Sequence, residues 1–208
     1  MNQTNTSLYE QLATDEQIDR TVQALIKNNI QAVVVNNGLE ARQYVLSLIP
    51  EGSEVHSGSS RTLDQIGLTA AIEEPGCYHA VRPQIRKLDR ATQGREIRKL
   101  GSSPDFMLGS IHAVTMTGQV VIGSGGGSQV GPYAWGAGSV IWVVGAQKIV
   151  PTLEDALQRL HEYTYPLENE RMLSTSNRPA HLNQILIING SLQPGRLKMV
   201  IVKERLGF

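Results

Sequence analysis

The sequence has little cysteine. Its one cysteine, Cys77, excludes an internal disulfide and any four-cysteine zinc or iron–sulfur site within one chain. Because this usage suits a reducing compartment, we expect a cytoplasmic protein. The 19 basic and 19 acidic side chains cancel, so the composition does not favour nucleic acid or an anionic membrane as a partner. The longest apolar run, Val140 to Ala146, is much too short to cross a bilayer, and the polar N-terminus is unlike a secretory signal.

Strand and helix patterns alternate in the first part of the chain. Thr14 and Gln17 predict a capping box, followed by apolar residues at helical spacing. The β-branched run Ala32–Val35 is typical of a buried strand, and the next helix is predicted to end before Pro50. Ser53–Ser57 forms the next predicted strand. This order indicates an α/β fold with a mainly parallel sheet and right-handed crossovers.

The second half contains shorter apolar pieces separated by turns. Thr117-Gly118 predicts a hairpin turn, and Ser139–Gly145 predicts a buried strand. Two further strands are predicted around a Pro194-Gly195 turn. The basic middle segment, 73–103, is interpreted as a solvated pair of helices.

Length and composition predict one sizeable domain. The 208 residues show no internal repeat and no long linker. We therefore assign 14–208 to a single domain and 1–13 to an N-terminal arm or short docking helix.

A Ser/Gly-rich loop follows the strand that ends at Ser57. Glycine lets the backbone approach a ligand closely, and a helix start supplies unpaired N–H groups that favour anions. The residues expected to bind a phosphate or carboxylate here are Ser57, Gly58, Ser59, Ser60 and Thr62.

A second glycine-rich loop, 123–131, also follows a strand. It differs from the dinucleotide-binding fingerprint because no clear helix is predicted directly after it. It is either a backbone surface that lines a pocket or a mobile hairpin loop, and its glycine content favours the pocket. The candidate binding residues are Gly125, Gly126, Gly127, Ser128 and Gln129.

His112 is the candidate general acid or base, provided that its ring faces the two loops. His56, directly before the first loop, is the second candidate. Lys148 follows a buried strand, where α/β sheets bind ligands, although a surface lysine is the commoner case there. Glu168 and Arg171 are spaced to pair along a helix. No metal-ligand spacing, P-loop or nucleophile elbow occurs, so we identify no cofactor and expect no metal.

Five ordered segments resemble the LUD (lactate utilisation) domain family. They are GSSRTLDQIGL, GSIHAVTMTGQVVIGSGGGSQ, VIWVVGAQKIVPTLEDALQRL, YPLENERM and PGRLKMVIVKERLGF. The resemblance implies a three-layer, Rossmann-like core of the NagB/RpiA/CoA-transferase-like superfamily, in which isomerases hold phosphate on a similar Ser/Gly loop. It also implies an association with oxidation of lactate to pyruvate in company with iron–sulfur partner proteins.

Three functions remain open at this point. In the first, a protein of organic-acid metabolism binds a small anionic metabolite between the two loops, with His112 moving a proton and Lys148 offsetting charge. The second is a sugar-phosphate isomerase or CoA-transferase-like enzyme. An isomerase would require a carboxylate near the anion-binding loop, and the candidate, Asp64, lies on the wrong side of a helix start.

The third function is a non-catalytic assembly partner of iron–sulfur oxidoreductase proteins. Tyr133, Trp135 and Trp142 lie in or near an apolar segment that is able to serve a partner interface. Core packing is the favoured role for Trp142. We expect a homo-oligomer, a homodimer in the simplest case.

Overall fold

The computed structural model describes residues 8–74 and 76–208. The strands are β1 (Gln31–Val35), β2 (Glu54–Ser57), β3 (His79–Ala80), β4 (Phe106–Gly109), β5 (Ala113–Thr115), β6 (Val120–Ser124), β7 (Ser139–Gly145), β8 (Ile149–Val150), β9 (Gln184–Ile188) and β10 (Leu197–Val202). The helices are α1 (Asp15–Lys27), α2 (Gly38–Ser47), α3 (Arg61–Gln65), α4 (Leu68–Glu73), α5 (Val81–Arg86), α6 (Gly94–Ser102), α7 (Leu153–Arg159) and α8 (Tyr165–Ser176). Two π-helical turns span Pro132–Gly136 and Leu160–Thr164.

A six-stranded sheet in the order β1-β10-β7-β4-β2-β3 forms the centre of the fold, and all of its neighbouring strands are parallel. This confirms the predicted α/β class. The predicted strand Ser139–Gly145 is β7, which is buried along its whole length because sheet neighbours and both covering layers surround it.

The strand predicted as buried over Ala32–Val35 exists as part of β1, but the prediction of its burial is wrong. β1 pairs with β10 alone and forms one edge of the sheet. Val34 is therefore 36% exposed despite its apolar side chain. A β-branched run favours a strand, whereas its place in the sheet decides how much of it is covered.

Apolar side chains cover both faces of the central sheet, which gives the three-layer, Rossmann-like arrangement. Trp142 of β7 belongs to the same cluster as Leu25 of α1. The next residue toward the N-terminus, Ile141, belongs to the opposite cluster with Val45 of α2. This follows from the alternation of side chains along a strand. Trp142 is thus a core residue, whereas Trp135 is 81% exposed.

A smaller four-stranded sheet in the order β8-β5-β6-β9 covers part of the α1 face. Its β5–β6 hairpin turns at Thr117-Gly118, as predicted, and Gly118 has a φ of +84°. The two strands predicted around Pro194-Gly195 are also present. They belong to different sheets, since β9 pairs with β6 while β10 lies between β1 and β7.

The predicted pair of solvated helices corresponds to α5 and α6. Arg86 donates to Glu73 at 2.8 Å, and Arg82 lies 3.9 Å from the same carboxylate. The prediction that no helix directly follows the second glycine loop is wrong. A helical turn begins at Val130 and continues as the π-helical turn Pro132–Gly136.

The N-terminal segment is described from Leu8 onward, so the first part of the predicted arm, 1–7, lies outside the described residues. Tyr9 stacks against Tyr163 with ring centroids 5.4 Å apart. The backbone N–H of Ala13 donates to the carbonyl of Ala146. The Thr14–Gln17 capping box then starts α1, as predicted. Among the described residues, no helix has the length and apolar character needed to cross a membrane.

Two glycines near the π-helical turn provide a test of this packing. A Cβ at Gly136 would lie 1.8 Å from the backbone oxygen of Ser102, whereas Gly131 has open space and a φ of −57°. We expect Gly136→Ala to lower the free energy of unfolding by about 1–3 kcal/mol, because the backbone must move. Gly131→Ala, the matched control, should raise it by about 0.4–1 kcal/mol. Urea unfolding measures both, and equal stabilities would contradict the close approach.

Candidate functional site

A cavity of about 530 Å³ lies at the carboxyl ends of β2, β4 and β7, where residues of the small sheet also reach it. Both predicted loops line this one cavity. The predicted site residues that line it are Gly58, Ser59, Ser60, Thr62, His112, Gly125, Gly126, Ser128, Gln129 and Lys148. The position agrees with the general rule that parallel sheets bind ligands beyond the carboxyl ends of their strands.

Two of the predicted binding residues, Ser57 and Gly127, are outside the cavity lining. Ser57 is 2% exposed, and its hydroxyl has no hydrogen-bond partner within the described residues. Gly127 has a φ of +76°, and a Cβ there would lie 2.5 Å from the side chain of Gln184. Gly127 therefore shapes the second loop, while Ser57 ends β2 beneath the first.

The first loop offers backbone N–H groups to the cavity. Ser60 caps the short helix α3 by accepting from the N–H of Leu63 at 3.3 Å. Within the described chain, the N–H groups of 59–62 have no acceptor. Thr62 differs from the prediction, because its hydroxyl accepts from Lys148 and donates to the carbonyl of Leu206. The loop amides and the hydroxyls of Ser59 and Ser60 are thus the groups free to donate to a ligand.

The second loop is braced by the side chain of Gln129. Its Oε1 accepts from the hydroxyl of Ser124 at 3.1 Å, and its Nε2 donates to the carbonyl of Gly123 at 3.3 Å. A Cβ at Gly125 would lie 2.7 Å from the carbonyl oxygen of His181, so only glycine fits there. Gln129 holds the loop in shape, which leaves the amides of Gly125 and Gly126 without an acceptor in the described chain.

His112 lies between the two sheets and connects them. Its Nδ1 accepts a hydrogen bond from the backbone N–H of Gly123 at 3.0 Å. Because a backbone N–H only donates, Nδ1 is unprotonated and the ring proton is on Nε2. Burial, aided by the positive charges of Lys148 and Arg159, lowers the pKa of His112 from 6.5 to about 3. The ring is therefore a neutral imidazole at physiological pH.

His56, the second histidine candidate, faces away from the cavity. It is 7% exposed, and its Nδ1 lies 3.2 Å from the carbonyl of Gly101 at the end of α6. Burial is the main cause of its lowered pKa. The structure therefore gives His56 a packing role between β2 and α6.

Lys148 is buried within the cavity wall and is not a surface lysine. It is 3% exposed, and its Nζ contacts Thr62 Oγ1 at 3.2 Å and both Ser110 Oγ and Ile111 O at 3.1 Å. No carboxylate of the described residues lies within 4 Å of this amine. Burial, together with the charge of Arg159, lowers the pKa of Lys148 well below its ordinary value.

Arg159 is a second buried basic residue, and the sequence analysis missed it. It is fully buried at the end of α7, where its guanidinium donates to the carbonyl of His112 and to Thr164 Oγ1 and lies 5.0 Å from the Tyr163 ring centroid. Burial lowers its pKa to about 10, so it stays charged at neutral pH. In the sequence, Arg159 occupies a helix position typical of a surface arginine. Its burial results from packing with the small sheet, which the sequence pattern does not show.

Ser110 was also missed. It follows β4, lines the cavity, and places its hydroxyl 3.1 Å from Lys148 Nζ. The sequence did contain a signal for Ser110, because a glycine–serine pair, Gly109-Ser110, directly follows an apolar segment. A similar pair, Ser57-Gly58, marked the first loop as a candidate binding segment.

Among the described residues, two acidic side chains line the cavity, and both have hydrogen-bond donors within the protein. Asp64 borders the cavity, and its carboxylate accepts from the hydroxyl of Thr69 at 2.7 Å. Glu168 pairs with Arg171 through two hydrogen bonds of 2.6 Å, as their spacing predicted. In the described chain, no group of three His, Cys, Asp or Glu side chains is arranged to hold a metal ion.

The tautomer of His112 can be tested directly. We expect the ring of His112 to stay neutral down to about pH 4, one unit above its lowered pKa. Nitrogen-15 NMR of labelled histidine should show a proton on Nε2 alone, with His112→Asn identifying the signal. A ring that becomes charged near pH 6.5, or that carries its proton on Nδ1, would contradict the assigned hydrogen bond.

Comparison with known proteins agrees with this architecture. A crystal structure of a DUF162 family protein from Deinococcus radiodurans is similar to this chain, with a TM-score of 0.55 and 15% sequence identity over 92% of this chain and 99% of the other. At that identity, the likeness shows the fold alone. No curated protein matches the chain. The LUD domain family model matches residues 18–202, and the chain therefore belongs to the LUD-domain family.

Proposed function

We propose that this LUD-domain protein serves organic-acid utilisation by binding a small anionic metabolite, with a carboxylate or phosphate group, in the cavity between the two loops. The observation that carries the proposal is the amine of Lys148, which is buried in the cavity wall with neutral oxygen partners and with no carboxylate within 4 Å among the described residues. Burial disfavours the charged form of this amine, and an anion in the cavity would supply the counter-charge that stabilises the ammonium.

The two loops add neutral donors to this positive environment. The unpartnered amides of 59–62 and of Gly125 and Gly126 are suited to the oxygens of a carboxylate or phosphate. A cavity of about 530 Å³ also has the size of ordinary small-molecule sites. The lining carboxylates, Asp64 and Glu168, already have donors of their own and so compete less with a ligand.

His112 contributes to this site as a hydrogen-bond donor. Its Nδ1 is occupied by the Gly123 amide, so proton transfer through that nitrogen would require the amide contact to break. The Nε2–H of a neutral imidazole can polarise a ligand oxygen without first losing a charge. We therefore propose a polarising role for His112 in place of the general acid or base role expected from the sequence.

A sugar-phosphate isomerase is the second candidate, and Asp64 is the observation that favours it. This residue borders the cavity, and its carboxylate would have to leave the Thr69 hydroxyl in order to act on a substrate. An assay of pentose and hexosamine phosphates tests this candidate, because isomerisation should be lost in Asp64→Asn. Absence of turnover would leave the binding function alone.

Association with iron–sulfur partner proteins and with a second copy of the chain stays a prediction, as does the cytoplasmic location. Support for a partner comes from Trp135, which is 81% exposed, and from Leu192, which is fully exposed beside the same small groove. Exposed aromatic residues are common at the centres of protein interfaces.

Ligand binding is tested by thermal unfolding with lactate, pyruvate, inorganic phosphate, sugar phosphates and CoA esters, because a ligand of the folded state must raise the melting temperature. We expect Lys148→Met to weaken binding of the active compound about tenfold or more, since a charge-assisted contact is lost. Lys198→Met is the matched control, because Lys198 also contacts neutral oxygens, including Ser139 Oγ at 2.8 Å, but is outside the cavity.

Two results would count against this proposal. One is the absence of any shift with the whole panel, and the other is unchanged binding in a folded Lys148→Met protein. Circular dichroism of each variant separates lost binding from lost folding.

The proposal also predicts a pH dependence of binding. A bound anion raises the lowered pKa of Lys148 back toward its ordinary value. At a pH between the pKa of the free protein and the pKa of the complex, binding is therefore coupled to the uptake of a proton. Affinity should therefore fall as the pH rises through this interval. PIPES and Tris differ in ionisation enthalpy, so proton uptake makes the calorimetric binding enthalpy depend on the buffer. We expect this dependence in the wild type and expect Lys148→Met to lack the part that comes from Lys148. Proton release on binding would contradict the prediction.

A further inference from the structure

We propose that Ser110 and Lys148 form a nucleophile–base pair, which makes the cavity a hydrolytic acyl-transfer site for esters that carry an anionic group. The inference rests on the proposed function, because the same cavity binds the charged part of the substrate. It goes further by assigning a reaction class and the two residues that perform it.

The geometry of the pair is that of a serine nucleophile with a lysine base. Ser110 Oγ lies 3.1 Å from Lys148 Nζ, within hydrogen-bond reach. Ser110 is partly exposed on the cavity lining, whereas Lys148 is 3% exposed. A substrate in the cavity therefore meets the hydroxyl more readily than the amine, as this chemistry requires.

The hydrogen bonds around Lys148 direct its lone pair to Ser110. A neutral amine has two N–H donors and one lone pair, and it has three oxygen neighbours here. The carbonyl of Ile111 can only accept, and Thr62 uses its own proton on the Leu206 carbonyl. These two oxygens therefore take the two N–H groups. The lone pair is left facing the Ser110 hydroxyl, which can donate to it.

The surroundings favour the neutral amine before reaction. Burial and the nearby charge of Arg159 lower the pKa of Lys148 well below its ordinary value. A base that is too weak transfers protons poorly, and the best base has a pKa near the working pH. The charge of an anionic substrate raises that pKa again and stabilises the ammonium that forms during the reaction. Anionic esters should therefore react faster than neutral ones.

Ser110 stands apart from the other serines of the cavity. Ser60 accepts from the Leu63 amide, and the hydroxyls of Ser124 and Ser128 donate to Gln129. Across the described chain, Ser110 is the cavity serine whose hydroxyl contacts an amine. The pair is therefore specific to the end of β4.

The reaction follows from these positions. Ser110 Oγ attacks the ester carbonyl carbon while Lys148 Nζ takes the hydroxyl proton, and the carbonyl electrons move to the oxygen, where free loop amides can donate. The ester C–O bond breaks, and the alcohol leaves with the proton from Lys148. Water then attacks the acyl group on Ser110 and gives one proton back through Lys148 to Ser110 Oγ. A carboxylic acid is released, and nothing is oxidised or reduced.

Two esters of nearly the same size, one anionic and one neutral, test the pair, namely 4-nitrophenyl hydrogen adipate and the 4-nitrophenyl ester of adipic acid monoamide. We expect the wild type to release a burst of nitrophenolate and to hydrolyse the anionic ester about tenfold faster, as kcat/KM. Ser110→Ala and Lys148→Met should each lower the rate about 100-fold or more. Lys198→Met and Ser47→Ala, which lie outside the cavity, should keep it.

A fluorophosphonate reagent followed by peptide mass spectrometry identifies the nucleophile. The label should be on Ser110 and should disappear in Ser110→Ala, which keeps the inference testable if Lys148→Met does not fold. A label on another serine, or no label and no hydrolysis, would overturn the pair. So would a pyruvate adduct trapped on Lys148 by borohydride, because the lysine itself would then be the nucleophile.

The two proposals fail in different ways. Ser110→Ala keeps Lys148 and the loop amides, so anions that raise the melting temperature of the wild type should still raise that of the variant. If anions bind but the wild type is neither labelled nor hydrolytic, the nucleophile pair is wrong and the binding function stands. If no anion binds, the proposed binding function is itself wrong.

Discussion

The amine of Lys148 holds together the ends of three neighbouring parallel strands. It extends from the segment after β7. It contacts Thr62 in the first turn of α3, which follows β2, and both Ser110 and Ile111 after β4. Thr62 and Gln147 in turn donate to the Leu206 carbonyl, which brings the C-terminal segment to the same place. Because the partners of Lys148 are all uncharged, this contact organises the cavity and also leaves it short of negative charge.

The small sheet completes one side of the cavity at the open end of the central sheet. It contributes the second glycine loop, which Gln129 braces from within, and the Gly123 amide that sets the tautomer of His112. It also covers Arg159, whose guanidinium holds the carbonyl of His112. Each donor is thus in place before a ligand arrives, which lowers the entropy lost on binding. The same rigidity supports the contact between Ser110 and Lys148.

Much of the fold could be predicted from local pattern. The continuous apolar run of β7, the turn at Thr117-Gly118 and the capping box at Thr14 are properties of a few adjacent residues, and each is present. The errors concern neighbours that are distant in sequence. β1 is an edge strand because only β10 pairs with it, and Lys148 is buried because Thr62, Ser110 and Ile111 surround its amine. The burial of a residue depends on the segments that pack against it. The spacing of nearby residues in the sequence carries no information about those segments.

The sequence by itself determined the α/β class, the family and the two Ser/Gly-rich loops as candidate binding segments, because strand periodicity, turn residues and motif order are local. Only the tertiary structure decided that the loops share one cavity, that Lys148 and Arg159 are buried without carboxylates, and that Ser110 contacts an amine. The pairing of Ser110 with Lys148 spans 38 residues of chain. The state of that amine depends on desolvation and on charges that other segments contribute, and these exist only once the two sheets have packed.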